Sequence, residues 1–179
     1  MQKKFLYILL FITGLAACKP NSNAGNPVAW QQQLAETLPM LGHRNWIIVA
    51  DKAFPMQTDP GIAYIYADKE LLTVLQEVVK QVEQSGHVKP EIYRDKELAF
   101  IEDNNVRSFI AREDSLLKGK NMQTLLHDSC FKKLSEESRQ FKVLVIKTNE
   151  LLPYTSVFIR LDCAYWDAGK EQILREKMK

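Results

Sequence analysis

The sequence predicts a layered α/β domain with a mostly parallel or mixed sheet flanked by helices. Short apolar runs rich in Ile and Val alternate along the chain with longer stretches whose apolar residues recur every three or four positions. The first pattern is typical of buried strands and the second of amphipathic helices. Because strands that alternate with helices favour parallel pairing, the order of the elements indicates the fold class.

Five apolar runs predict the strands, because each is short, rich in β-branched and aromatic residues, and bounded by polar residues, Pro or Gly. The predicted strands are Trp46–Ala50, Ile62–Tyr66, Val88–Arg94, Lys142–Lys147 and Thr155–Leu161. Pro90 has no backbone N–H, which indicates an edge strand or a strand start. The last two runs, separated by the Glu150–Tyr154 turn, could add an antiparallel pair.

Six stretches have the apolar spacing or the caps of helices. The predicted helices are Val28–Leu38, Lys69–Gln84, Asp95–Ile101, Val106–Leu117, Cys130–Gln140 and Trp166–Met178. Pro39 should end the first and Gly86 the second, while Asp95 could cap the third and Ser129 the fifth. Met122–Leu126 fits either a helix or a strand.

The first 17 residues are typical of an export signal. Two lysines precede an apolar run, Phe5–Leu15, and two alanines then lead to Cys18. This order characterises secretory signals, and the run is too short to span a bilayer. The Leu-Ala-Ala-Cys ending resembles a bacterial lipobox, which implies that Cys18 is the lipidated first residue of the mature chain. Ordinary cleavage that leaves Cys18 unmodified is the alternative.

This signal also divides the chain and predicts its location. Residues 18–27 are polar with Gly and Pro, as expected of a flexible tether, and residues 28–179 suit a single domain. The expected location is the bacterial cell envelope, lipid-anchored and facing the periplasm. Two cysteines, Cys130 and Cys163, then remain in a compartment that permits disulfides. They could pair or remain free thiols, because Cys also packs well as a small apolar residue.

Charge and motif content exclude several classes of function. Loss of Lys3 and Lys4 with the signal lowers the basic count from 24 to 22, equal to the 22 acidic residues. A neutral mature chain without a basic cluster does not indicate nucleic-acid binding. The sequence has no GxGxxG or Walker loop and no zinc-ligand spacing, so it does not indicate dinucleotide, nucleotide or zinc chemistry.

The strongest functional signal lies in the stretch Leu38–Gly61. Gly42 and His43 lead into the strand Trp46–Ala50, and Asp51 follows its last apolar residue. Ligands in open α/β sheets gather outside the carboxyl ends of strands, so Asp51 is well placed to contact one. His43 could join it if its loop folds back.

Two blocks of sequence carry a resemblance to a known family. Leu-Gly-His before the strand that Asp51 closes, and Lys147–Tyr154 (KTNELLPY), resemble the opening and C-terminal signatures of the D-ribose pyranase / L-fucose mutarotase family. The resemblance implies a protein that interconverts ring or anomeric forms of a monosaccharide without a metal or cofactor. It also implies rings of subunits with sites near subunit boundaries, so a homo-oligomer is possible.

The resemblance assigns roles to the first three site residues. It places His43 on the family's proton-donating histidine, Asp51 on its substrate-binding aspartate and Tyr154 on the tyrosine of a Pro-Tyr-x-Asn segment. Ring opening needs one group to protonate the ring oxygen and another to remove the anomeric proton. A histidine suits both roles because it titrates near neutrality.

Three further residues are implied as substrate contacts. Ser156 stands where the family has Asn, which shortens the polar reach. His127 is the candidate for the family's second histidine, although it lies 27 residues before Tyr154 and requires an insertion. Glu150 either contacts the sugar or is a solvated turn residue. A sugar-binding envelope lipoprotein without turnover and a structural envelope subunit are the alternative functions.

Overall fold

The structure, a computed structural model, describes residues 29–179. The predicted signal (1–17), the lipidation site Cys18 and the tether (18–27) lie outside the described residues. Within the described part, no helix is long and apolar enough to cross a membrane.

Six strands and five α-helices make up the described fold. The strands are β1 (Trp46–Ala50), β2 (Ile62–Tyr66), β3 (Val88–Asp95), β4 (Met122–Leu125), β5 (Val143–Lys147) and β6 (Val157–Cys163). The helices are α1 (Trp30–Thr37), α2 (Leu71–Gln84), α3 (Asn104–Leu116), α4 (His127–Glu137) and α5 (Ala168–Lys177). Leu38–Met40 and Lys96–Phe100 form short 3₁₀ helices.

All six strands form one mixed sheet in the order β2-β5-β1-β6-β3-β4. β1 pairs in parallel with β5, β5 with β2, and β3 with β4, whereas β6 runs antiparallel to both β1 and β3. Five strands therefore point one way and β6 points the other, which confirms the predicted fold class. The suggested pairing of the last two predicted strands is wrong, because β1 lies between β5 and β6.

The central strand β1 is apolar throughout because both faces of the sheet are covered. Ile47 and Val49 face a core cluster built with α1, α2 and α3. Trp46, Ile48 and Ala50 face a second cluster, to which α4 contributes. All five residues are buried. A continuous apolar run, rather than an alternating one, is the expected sequence of such a strand.

Several boundaries differ from the sequence prediction for local reasons. The ambiguous segment is the short edge strand β4, which pairs with Ile92–Asp95 of β3. Pro90 therefore lies beyond β4, where the outer side of β3 is open. α4 begins at His127, so Ser129 lies inside its first turn and does not cap it. Pro39 does not end the first helix at once, because it lies inside a 3₁₀ turn, Leu38–Met40, that continues the helix by three residues.

The suggested disulfide is wrong, because both cysteines are free. Cys163 ends β6 opposite Val88, the first residue of β3. The thiol of Cys130 forms a hydrogen bond with the carboxylate of Asp95, the last residue of β3. Eight strand residues at about 3.3 Å each place the two thiols too far apart to bond.

Candidate functional site

Polar residues from distant parts of the chain meet at one edge of the sheet. Because five strands run the same way, their carboxyl ends lie together, with Asp51 after β1, Asp95 at the end of β3 and His127 after β4. β6 starts at this edge because it runs in the opposite direction. Tyr154 and Ser156, which precede β6, therefore arrive at the same place.

A small depression lies at this edge, with a volume of about 280 Å³. Its polar lining comes from Asp51, His127 and Tyr154. The apolar lining comes from Ala53, Phe54, Pro55, Phe131 and Pro153. A few convergent polar groups on an apolar wall are typical of small-molecule sites, although this volume lies just below their usual range.

Asp51 is fixed by the buried hydroxyl of Ser156. Ser156 Oγ donates to Asp51 Oδ2 at 2.7 Å and accepts the backbone N–H of Asp51 at 3.0 Å. Asp51 Oδ1 accepts the N–H of Ala53 at 2.8 Å, as in an Asx turn. Ser156 is only 2% exposed. It therefore lies behind Asp51 and positions the carboxylate, and it is not among the residues that line the depression.

His127 is held in a fixed orientation by groups on three sides. Its Nδ1 lies 2.6 Å from Oδ2 of Asp95, and its backbone N–H donates to the carboxylate of Glu97. The ring packs edge-on against Tyr154, with centroids 5.1 Å apart, and at a tilt against Phe131 at 4.8 Å. The side chain is 37% exposed. An imidazole at the start of α4 is thus locked in place while part of it faces solvent.

Asp95 is a buried carboxyl group beside the depression. Its side chain is fully buried, and burial raises the pKa of this carboxyl despite the hydrogen bonds from His127 and Cys130 that lower it. Burial, reinforced by the nearby carboxylate of Asp95, raises the pKa of the Cys130 thiol to about 12. The thiol is therefore protonated at neutral pH and is not a nucleophile.

Tyr154 adopts a backbone conformation that is unfavourable for a residue with a side chain. Its φ is +60°, in the left-handed region. The hydroxyl of Thr155 donates to the carbonyl of Leu152 at 2.7 Å and stabilises this turn. The phenol is 38% exposed and contacts His127. Backbone strain of this kind concentrates at functional sites, where surrounding contacts hold it in place.

Glu150 does not line the depression. Its Oε1 accepts the backbone N–H groups of Leu151 and Leu152 at 2.9 and 3.0 Å. Its carbonyl accepts the N–H of Lys52. The side chain thus folds back on its own turn, which supports the turn-residue alternative for Glu150.

His43 lies at the opposite edge of the sheet, so a single chain does not bring it to Asp51. The five residues of β1 separate the two, and at about 3.3 Å each they span about 17 Å. His43 Nε2 lies 3.5 Å from Asp162, near the far end of β6, and its side chain is 49% exposed. The next residue, Arg44, has a φ of +71° and donates its N–H to Leu161 O. These contacts hold His43 beside the end of β6, so its loop does not fold back as suggested.

The surroundings of His43 form a second, larger cavity of about 700 Å³. Asp162, which contacts His43, also contacts Lys89 at 3.2 Å. Two aromatic residues that precede α5, Tyr165 and Trp166, line the same cavity. Among residues 29–179, no group of His, Cys, Asp and Glu is arranged to hold a metal ion at either edge.

Comparison with known proteins identifies the family. The model of the RbsD / FucU transport protein family matches residues 26–163, which is most of the chain. The chain belongs to the RbsD / FucU family. The match ends before α5, so this helix lies beyond the part shared with the family. No curated protein sequence matches the chain.

Solved structures of RbsD and FucU proteins share the fold at low sequence identity. RbsD from Bacillus subtilis, complexed with D-ribose, is 19% identical, with a TM-score of 0.54 over 73% of this chain and 91% of that one. A fucose mutarotase from Streptococcus pneumoniae, in complex with L-fucose, is 15% identical, with a TM-score of 0.52 over 73% and 91%. FucU from Bifidobacterium longum is 13% identical, with a TM-score of 0.51 over 73% and 94%.

Two residues that form hydrogen bonds with His127 were not identified from the sequence. Asp95 was expected to cap a short helix, but its side chain binds the imidazole instead. Glu97 is 30 residues from the backbone N–H that it accepts. One signal was available for Asp95, because it directly follows a predicted strand, as Asp51 does. Nothing in the sequence points to Glu97.

Proposed function

We propose that this chain is a sugar isomerase of the mutarotase or pyranase type, which interconverts the ring or anomeric forms of a monosaccharide. The observation that carries the proposal is the depression in which Asp51, His127 and Tyr154 converge on an apolar wall. Family membership and the sugar-bound structural neighbours support the substrate class.

The chemistry requires opening and reclosing a hemiacetal by proton transfer. One group protonates the ring oxygen while another removes the proton of the anomeric hydroxyl, and both transfers reverse on closure. Asp51 and Tyr154 are suited to hold sugar hydroxyls, because a carboxylate accepts hydrogen bonds and a phenol both donates and accepts them. This reaction needs neither a redox cofactor nor a covalent nucleophile.

His43 enters this proposal through a second copy of the chain. It is half exposed and too far from Asp51 to act within its own subunit. In a symmetric ring, the amino edge of one sheet can meet the carboxyl edge of the next. His43 of one subunit would then supply a proton at the depression of its neighbour. The homo-oligomer is therefore part of the proposed function.

The proposed location is the cell envelope, with the mature chain anchored by a lipid on Cys18 and facing the periplasm. Support comes from the charged start, the apolar run and the Leu-Ala-Ala-Cys ending of the first 18 residues. The polar segment 19–27 would then connect the membrane to the fold.

Variants of the two predicted residues test the function. NMR exchange spectroscopy on the protein without residues 1–27 measures the rate at which D-ribose and L-fucose change ring form. Asp51→Asn should mainly weaken sugar binding, since it removes a charged acceptor. His43→Ala should lower the exchange rate by about 10²–10⁴-fold, the usual contribution of a general acid or base. Unchanged exchange in both variants would contradict the proposal.

Mixing the two variants tests whether His43 acts on a neighbouring subunit. At sugar concentrations below saturation each variant alone should show little exchange activity, but hybrid rings contain sites with one intact His43 and one intact Asp51. Exchange activity should therefore return after the subunits are mixed and re-equilibrated. A mixture no more active than its components would contradict action between subunits. Sugar binding without exchange in the wild type would favour the binding-lipoprotein alternative.

A further inference from the structure

The buried carboxylate of Asp95 has no role in the chemistry described so far. It lies at the end of β3 with its side chain fully buried. Arg94, the neighbouring cation, is already engaged with Glu113 and Asp114. Among the described residues, the ion-pair partner of Asp95 is His127. A buried carboxylate is costly unless it is paired, so its presence here requires a reason.

The contact with Asp95 determines which nitrogen of His127 is available. A carboxylate accepts hydrogen bonds, so the Nδ1 atom 2.6 Å away carries a proton and donates it. In the neutral imidazole, Nε2 then has a free lone pair. Nε2 has no hydrogen-bond partner within residues 29–179, and the ring lines the same depression as Asp51. The pairing therefore prepares Nε2 to accept a proton from a bound molecule.

The surroundings keep this orientation fixed. Phe131 and Tyr154 contact the ring, and Glu97 binds the backbone N–H of the same residue. A hydrogen-bonded Asp that orients a His and stabilises its charged form is a recurrent arrangement in general acid–base sites. A histidine that only held a sugar hydroxyl would not need a buried carboxylate behind it.

We propose that His127 is a proton-transferring residue of the sugar site and that Asp95 is its positioning residue. This inference rests on the proposed function and adds to it, since the resemblance implies only a substrate contact for His127. The site then has two proton-transferring histidines, one from each of two subunits.

The proton transfers balance over the reaction. Neutral His127 Nε2 takes the proton of the anomeric hydroxyl while the bond between the anomeric carbon and the ring oxygen breaks. The ring oxygen receives a proton from protonated His43 of the second copy, which gives an open-chain aldehyde. Rotation about the next carbon–carbon bond exposes the other face of the carbonyl. Closure reverses both transfers, so His127 returns to neutral and no proton is gained or lost.

Two variants separate this role from a structural one. His127→Gln replaces a part-exposed ring and should retain the fold while lowering the maximal exchange rate by about 10²–10⁴-fold. Asp95→Asn removes the charge that favours the imidazolium. It should lower the maximal exchange rate and move the acidic limb of the pH–rate profile to lower pH, with little change in the sugar concentration needed for half-saturation.

The pH profile must be interpreted with every group that faces His127. The groups packed around it are Asp51 from the loop after β1, Asp95 from β3, Glu97 from the 3₁₀ helix and Tyr154 from the loop before β6. On α4 itself, Asp128 is the next residue and Cys130 bonds to Asp95. Glu97→Gln is the matched control, because it makes the same chemical change at a carboxylate that binds only the backbone of His127. Glu97→Gln should shift the acidic limb of the pH–rate profile less than Asp95→Asn does.

A spectroscopic readout makes the test independent of turnover. In ¹⁵N NMR spectra, the ring of His127 should show a protonated Nδ1 in the neutral form, and Asp95→Asn should change this signature. An Nε2-protonated ring in the wild type would overturn the inference, as would full exchange activity in His127→Gln. Absence of exchange in the wild type would instead overturn the proposed function, and the catalytic role of His127 with it.

Discussion

Replacing Ser156 with Ala tests how the fold holds the carboxylate of Asp51. The change removes a hydrogen bond to a charged group, worth about 1.5–3 kcal/mol, and leaves the N–H of Asp51 without its partner. Water can replace part of both contacts because Asp51 is only partly buried. We therefore expect a loss of about 2 kcal/mol in the free energy of unfolding. For a domain of this size, that corresponds to a fall of about 4–8 °C in Tm.

The functional consequence is looser positioning of the Asp51 carboxylate at the edge of the depression. Sugar affinity measured by NMR titration should fall in Ser156→Ala. Urea unfolding and thermal melts measure the loss of stability on the same samples. The fold should otherwise be retained, because Ala fills most of the volume of Ser.

Ser138→Ala is the matched control for this prediction. Ser138 is also buried and its hydroxyl also binds an aspartate, Asp59, at 3.2 Å, but it lies at the opposite edge of the sheet. Its replacement should lower stability and leave sugar affinity unchanged. If Ser156→Ala lowers neither stability nor affinity, or if both variants weaken sugar binding equally, then Ser156 does not position Asp51.

Three further predictions concern other parts of the chain. Burial raises the pKa of Glu113 despite its bond to Arg94; the folded protein thus holds this proton more tightly than the unfolded chain, and its contribution to stability is lost as pH rises through the folded pKa. As pH falls from 7 to 4, the unfolding free energy of the wild type should therefore rise relative to that of Glu113→Gln. Urea titrations that give the same difference between the two proteins at every pH would contradict this. Cys163 is part-exposed, whereas burial raises the pKa of the Cys130 thiol to about 12. Cys163 should therefore react with iodoacetamide at pH 8 well before Cys130 does. Peptide mass spectrometry that finds Cys130 labelled first would refute this prediction. Mass spectrometry of membrane fractions should find a diacylglyceryl group on Cys18, and normal processing of Cys18→Ser would remove the lipoprotein prediction.

The elements of the fold were predictable where burial dictates the sequence. β1 and α2 are covered by the core, so their apolar patterns are continuous and periodic, and their predicted positions are confirmed. Edge elements were harder to predict. β4 pairs on one side only and has no residue classed as fully buried, so its composition fits either type. α5 likewise buries no residue, and its predicted apolar face is largely exposed.

The candidate site was only partly predictable, because its geometry depends on strand order. Asp51 follows a buried strand, and that local pattern placed it at the carboxyl edge. His43 lies eight residues away in sequence, but an extended strand turns that proximity into separation. Asp95 and His127 are 32 residues apart and meet because β3 and β4 are adjacent and parallel. No local pattern specifies such a pairing, which follows only once the sheet order is known.

The central claim is that this chain accelerates the interconversion of sugar ring forms, and NMR exchange spectroscopy measures that directly. The assay uses D-ribose and L-fucose with the protein lacking residues 1–27, with buffer and the unfolded protein as references. The account predicts exchange faster than both references for at least one sugar, and loss of that acceleration in Asp51→Asn at sugar concentrations below saturation. Exchange no faster than in buffer for either sugar would contradict it.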